Sequence, residues 1–323
     1  MKTLRLLFAP LSLLSAFAIG LSCPWLNAYR AAVPYLVMGM LFLVFLQLNW
    51  NQLRIRASVF AIVAANLAIP LTFYFIFSAL NQPVLAVGAF MAGIAPTGSA
   101  APSVISFLKQ NIEYGVTAFV MTTFTVAVAI PLILPHLLPE AADKGFMELF
   151  LPIAQRVGFL IFIPVGASLI IRWIAPSSKN RFPKAYRMIS FLLWVCCITI
   201  MLSGASNTIW NELDASQRWF VPLCFLTALC VCITNFTLGH FLSKEFPRES
   251  SQTLGQKNIA VTVALAMEFC EPMVAIVPLM YILCHNSWNS WQMIRLSLKE
   301  ERENNTEIET VNKDSTNSRP ENK

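Results

Sequence analysis

Charge is what this chain has least of. Only 12% of its 323 residues are Asp, Glu, Lys or Arg, where a soluble domain carries about 25%, so a water-soluble globular fold is excluded. The basic excess, a formal +6, is spread over short loops rather than gathered on one stretch, so a nucleic-acid partner is excluded too. No C-x-x-C occurs among the eight cysteines, and no His/Cys spacing suits a metal. Nearly all the cysteines lie in apolar runs and read as small buried hydrophobes rather than a disulfide framework. A Gly-x-Ser-x-Gly elbow is also missing, which leaves an intramembrane serine hydrolase built on Ser99 with His240 or His285 without its usual support. The chain therefore reads as no enzyme and calls for no organic cofactor.

What is present is apolar sequence. Hydrophobic residues make up 56% of the chain and mean hydropathy is +0.61, the composition of an all-α polytopic membrane protein. Ten segments of near-spanning length are predicted, at about 4–22, 31–50, 56–80, 84–108, 113–138, 147–173, 188–208, 219–242, 251–269 and 272–294. Lys2 and Arg5 before the first run also fit a signal peptide, but Gly20 stands where a lipoprotein signal wants leucine. A retained helix is the expectation.

Loop charges orient these spans. With the N-terminus in the cytoplasm, the inner ends carry Lys2, Arg5, Arg54, Arg56, Lys109, Arg172, the group from Lys179 to Arg187, Lys244, Arg248 and the group from Arg295 to Arg302. The outer ends carry only Arg30, Lys144 and Arg218. That is a strong positive-inside bias, and it places both termini in the cytoplasm of a cell with the protein multi-pass in its inner (plasma) membrane. Residues 1–296 form the transmembrane domain. The polar tail 297–323, almost without aromatics, reads as disordered.

Ten spans divide as five and five, and the halves would be inverted repeats. In that architecture the binding site lies near the midplane, where interrupted spans meet. The fourth span, "VLAVGAFMAGIAPTGSAAPSVISFL", has Pro96, Gly98 and Pro102 within seven residues, flanked by Thr97, Ser99 and Ser103. Two prolines remove two backbone donors, and such a break is tolerated where it lines a cavity or is buried in protein. The ninth, "ESSQTLGQKNIAVTVALAMEF", has a continuous apolar part from Ile259 to Ala266 that spans only about 12 Å. The polar stretch with Thr253, Gln256, Lys257 and Asn258 must then enter the membrane. The plainer alternatives are a proline kink at Pro96–Pro102 and a lysine that snorkels at the cytoplasmic edge.

These two stretches carry a family resemblance. "GIAPTGSAAPSVISFL" and "RESSQTLGQKNIAVTVALA" are similar to the fourth- and ninth-helix motifs of the bile acid:sodium symporter family, while "VMGMLFLVFLQLNWNQLR" and "NLAIPLTFYFIF" look like its second and third helices. The resemblance covers about residues 30–295. It implies ten helices, with a panel domain of helices 1, 2, 6 and 7 and a core domain of 3–5 and 8–10 in which helices 4 and 9 break and cross. It also implies carriage of organic anions such as steroids, carboxylates and sulfonates, usually with Na⁺.

The sodium ligands are where this chain departs from the pattern. Thr253 falls where the family has its sodium-binding Glu, and Lys257 where it has Gln, whereas Gly255 and Asn258 match. Pro102-Ser103 falls on a Ser-Asn pair, Thr122 or Thr123 on a fifth-helix Thr, and Asn66 within a residue of a third-helix Gln. An ammonium has three donors and no acceptor, so Lys257 can bond the carbonyls that Na⁺ would hold, making transport Na⁺-independent there. A lysine taken out of water can also yield its proton during a cycle and couple H⁺ instead. Na⁺ or H⁺ is thus the candidate coupling ion. Half-helix N-termini and Lys257 together favour an anionic solute.

The expected site is Thr97, Ser99, Ser103, Thr253, Gln256, Lys257 and Asn258, with Asn66 and Thr122 at its margin, in a carrier of a small organic anion. A channel or a non-transporting sensor of the same fold is the alternative. Arg156 inside the sixth span is either a functional group or a snorkelling one. Glu268 and Glu271 are read as a wet hairpin, and His285 with Asn286 as a helix–helix contact in preference to an exit lining.

Overall fold

Helix follows helix along the chain. The computed structural model describes residues 2–47, 51, 53–98, 101–138, 146–177, 183–212, 214, 216 and 218–317, with backbone alone for some of them, among these 2–10, 103, 156 and 299–317. The helices are α1 (Lys2–Ser22), α2 (Val33–Gln47), α3 (Ala57–Ala79), α4 (Pro83–Ile94), α5 (Ala101–Phe107), α6 (Ile112–Leu137), α7 (Phe146–Ile174), α8 (Pro183–Asn207), α9 (Phe220–Leu242), α10 (Pro247–Gly255), α11 (Ile259–Phe269) and α12 (Pro272–Asn317). A 3₁₀ segment, Pro24–Ala32, joins α1 to α2, and a π-helical turn, Thr208–Glu212, extends α8. No strand occurs among the described residues.

Local chemistry sets several boundaries. Pro83 and Pro247 occupy the first turns of α4 and α10, where a missing N–H costs nothing. Asn111 caps α6 by accepting from the backbone N–H of Tyr114 at 3.1 Å, with Glu113 in the first turn to complement the helix dipole.

Among the described residues, five helices are long and apolar enough to cross a membrane: Pro24–Gln47, Ala57–Ala79, Ile112–Leu137, Met188–Asn211 and Phe220–Leu242. Shorter apolar helices include Pro83–Ile94 and Ile259–Phe269. The last helix departs from expectation. The composition marks 297–323 as unstructured, but the backbone of α12 continues as helix to Asn317. Residues 294–317 contain neither proline nor glycine, and Leu298 to Glu303 are good helix formers.

Two groups of helices emerge from the packing. In one, α1 lies on α8, α2 on α7, and α2 also touches α8. In the other, α3 runs along α4, α9 along α10, and α12 packs on both α9 and α4. Small residues permit the closest approaches: a Cβ on Gly93 would stand 2.8 Å from the ring of Pro70, and one on Gly239 2.8 Å from the Cα of Ser251. Helix α4 is apolar all round and buried from Leu85 to Ile94, as such a helix must be. By contrast α3 exposes Phe60, Phe75 and Ile76, and α7 exposes Leu151, Phe162, Ile163 and Ile170, surfaces that belong in hydrocarbon rather than water.

Candidate substrate and ion site

Two interruptions meet inside the second group. The first follows from proline. Ala95 precedes Pro96 and is pushed out of helical geometry to ψ 138°, so α4 stops at Ile94 and the chain resumes as α5 at Ala101. The second has no proline. Helix α10 ends at Gly255, Gln256 takes ψ 109°, and α11 begins after Asn258. The two breaks lie antiparallel, with Thr97 opposite Lys257 in a single β-bridge. Gly98 N–H donates to the Gln256 carbonyl at 2.7 Å, and Asn258 N–H donates to the Pro96 carbonyl at 2.8 Å. A Cβ on Gly98 would stand 3.3 Å from the carbonyl oxygens of Gln256 and Lys257, so the approach suits glycine.

Groups left open by the breaks find partners across the fold. The Asn66 amide donates to the Ile94 carbonyl at 3.3 Å. The Thr97 hydroxyl donates to the Thr253 carbonyl at 2.7 Å, and the Thr97 N–H donates to the Thr122 hydroxyl at 3.1 Å. The Tyr281 hydroxyl donates to the Gly255 carbonyl at 2.7 Å and accepts from Asn235 at 3.1 Å. Irregular backbone persists in an apolar surround only when satisfied in this way.

Lys257 is only 3% exposed, and its ammonium donates to the side-chain carbonyl of Asn66. This buries the lysine in the crossing and removes the membrane-edge alternative. No carboxylate lies within ion-pair distance of it among the described residues. Beside it is a cavity of ≈ 30 Å³. One wall is polar: Gln256, Lys257, Asn258, His285 and Asn286. Helices α2 and α8 contribute Met40, Trp194, Cys197, Ile198 and Met201 to its lining. Gln256 Oε1, His285 Nδ1 and Asn286 Oδ1 are buried with no hydrogen-bond partner, a costly state for polar atoms. The cavity thus sets a buried ammonium beside unpartnered polar atoms and apolar side chains, while the Asn286 amide N–H donates to the Ile282 carbonyl at 2.9 Å.

The structure thus gathers Asn66, Thr97, Thr122, Thr253, Gln256, Lys257 and Asn258. Thr253 takes part through its carbonyl, since its own hydroxyl donates to the Ser250 carbonyl at 3.0 Å. Ser99 lies outside the described residues. Ser103 falls in α5 and Arg156 in α7, with their side chains outside the description. Glu268 and Glu271 are exposed, as a wet hairpin requires. His285 and Asn286 line the cavity beside Lys257. The signal was present in the sequence, because adjacent polar residues within a span point to a function. Nothing in the sequence marks Met40, Cys197 or Met201, which look like any other apolar residues of their helices.

The model of the family described as Sodium Bile acid symporter family matches residues 33–212, more than half of the chain. The chain is also similar to a protein of Bacillus subtilis (strain 168) named "Uncharacterized sodium-dependent transporter YocS". The two are 23% identical over 232 residues, which make up 71% of this chain and 70% of that one.

Proposed function

Because the chain belongs to the Sodium Bile acid symporter family, we propose that it is a secondary transporter of a small organic anion, bound where the two interrupted spans cross. The observation that carries this reading is the antiparallel pairing of Thr97 with Lys257. It brings one break from each half of the chain to a buried polar cavity, the arrangement that carriers place at the bilayer midplane.

In this reading ten spans form two inverted five-helix halves. The packing supports it. Exchanging the halves turns the α1–α8 contact into α7–α2, and turns α3–α4 into α9–α10, and all four contacts are made. The first helix group corresponds to a panel and the second to a core. Positive-inside loop charge supports cytoplasmic termini and a plasma-membrane location. Exposed Trp25, Tyr29, Trp210 and Trp219 then fall at the outer ends, where an aromatic belt is expected.

Sodium is the coupling ion in the family's description, and the relative's name includes it. In this chain Lys257 already supplies a cation, bonded to Asn66, and Thr253 supplies no carboxylate. Transport is therefore Na⁺-independent at that position.

The test is a thermal-shift screen of the purified protein against carboxylates, sulfonates and cholate, in Na⁺ and in choline, followed by uptake into liposomes. Stabilisation that is equal in both salts, with saturable uptake, is expected. A steep Na⁺ dependence overturns the role given to Lys257. Binding without flux points to a sensor, and flux that does not saturate points to a channel.

A further inference from the structure

The cation inside the crossing is covalently part of the carrier. A coupling ion such as Na⁺ enters and leaves with its substrate, so the empty carrier returns without charge. Lys257 cannot leave. It is 3% exposed, its acceptor Asn66 is a neutral amide, and no described carboxylate pairs with it. The one buried acid among the described residues, Glu249, accepts from the backbone N–H of Asn111 at 2.8 Å, at the turn between α5 and α6. Thr253, four residues before the lysine, has its hydroxyl turned back onto Ser250.

We propose that this protein is an anion exchanger, because the helices that hold Lys257 are electrically balanced only while an organic anion sits beside its ammonium. The proposal rests on the reading of the crossing as an organic-anion site. With an anion bound, ammonium and anion cancel, and the helices change access as a neutral unit. Without one, they either carry an uncompensated positive charge through a low-dielectric barrier or must first give up the ammonium proton, a step the loaded carrier does not need. The charge penalty at a bilayer centre slows the empty return on the order of a hundredfold relative to the loaded step. Net entry of an anion would also run against an inside-negative potential, whereas a one-for-one exchange of like-charged anions moves no charge. Both effects favour exchange over net uptake.

The full-length protein in liposomes tests this with labelled cholate, pyruvate, 2-oxoisovalerate and benzoate. Vesicles are either empty or preloaded with the same unlabelled anion. For the transported anion, preloading raises initial uptake about a hundredfold, and that exchange is unmoved by a potassium diffusion potential set with valinomycin. Lys257→Gln removes the charge, and Asn66→Asp balances it in place; each lowers the preloading ratio toward one. Equal uptake by empty and preloaded wild-type vesicles overturns the exchanger while leaving the carrier intact. So does a wild-type ratio that persists in both variants. No flux of any of the four anions in either kind of vesicle overturns the anion-carrier reading, and the exchanger with it.

Discussion

Lys257 and Asn66 are hydrogen-bonded to each other although 191 residues separate them in sequence. The same Asn66 amide also donates to the carbonyl at the end of α4, so one side chain holds both the cation and the broken helix. Asn66→Leu leaves a buried ammonium without an acceptor and a carbonyl without a donor. A hydrogen bond to a charged group contributes about 1.5–3 kcal/mol, so the melting temperature of the purified protein falls by several degrees. Adding Lys257→Met to Asn66→Leu removes the stranded charge, and the double variant melts above the single one.

Thr97 is the hinge of the bridge, donating to the Thr253 carbonyl and accepting from the Thr122 hydroxyl. Thr97→Val keeps the shape and removes both bonds, at a cost of about 1 kcal/mol each. Anion-induced stabilisation is lost with them because the crossing no longer holds its register. Thr97→Ser retains both bonds and the stabilisation. Equal thermal-shift responses in the two variants would remove Thr97 from the site.

How much of this was legible in the sequence differs between the two breaks. Single prolines such as Pro70 and Pro278 sit inside continuous helices, so it is the cluster of Pro96, Gly98 and Pro102 within seven residues, rather than Pro96 alone, that marks the first interruption. The break at Gln256–Asn258 has no such marker. It shows in the sequence only as an apolar stretch too short to span, and its cause is a pairing with residues far away in the chain. The burial of Lys257 was equally non-local, because whether a lysine snorkels or turns inward depends on an acceptor that Asn66 supplies from α3. Met40, Trp194 and Met201 were illegible for another reason. In a membrane helix the residues facing a cavity and those facing lipid are the same types. The length of α12 beyond residue 294 was misjudged because polarity without aromatics outweighed helix propensity.

Gly255 approaches the ring of Phe236 so closely that a Cβ would stand 2.4 Å from two of its carbons. Gly255→Ala therefore drives α10 away from α9, an overpacking cost of about 1–3 kcal/mol, and pulls the Gly255 carbonyl from the Tyr281 hydroxyl. Phe236→Leu, combined with it, makes room and restores part of the melting temperature. A double variant no more stable than Gly255→Ala alone would show that the ring is not the obstacle.

His285 and Asn235 make opposite predictions, although both are buried polar residues. Asn235 spends its amide on the Tyr281 hydroxyl, which in turn holds the end of α10. Asn235→Leu therefore lowers the melting temperature by removing about 1 kcal/mol of hydrogen bonding, yet leaves the affinity for a bound anion within a few-fold, since no atom of it lines the cavity. His285 lines the cavity with an unpartnered Nδ1. Burying such an atom costs stability that a phenyl ring of similar shape would not. His285→Phe is expected to hold or raise the melting temperature while weakening anion binding about tenfold, the factor that corresponds to one net hydrogen bond. Isothermal titration and thermal melts on the two variants check both signs at once. If His285→Phe instead unfolds the protein with affinity unchanged, His285 belongs to the core rather than the site.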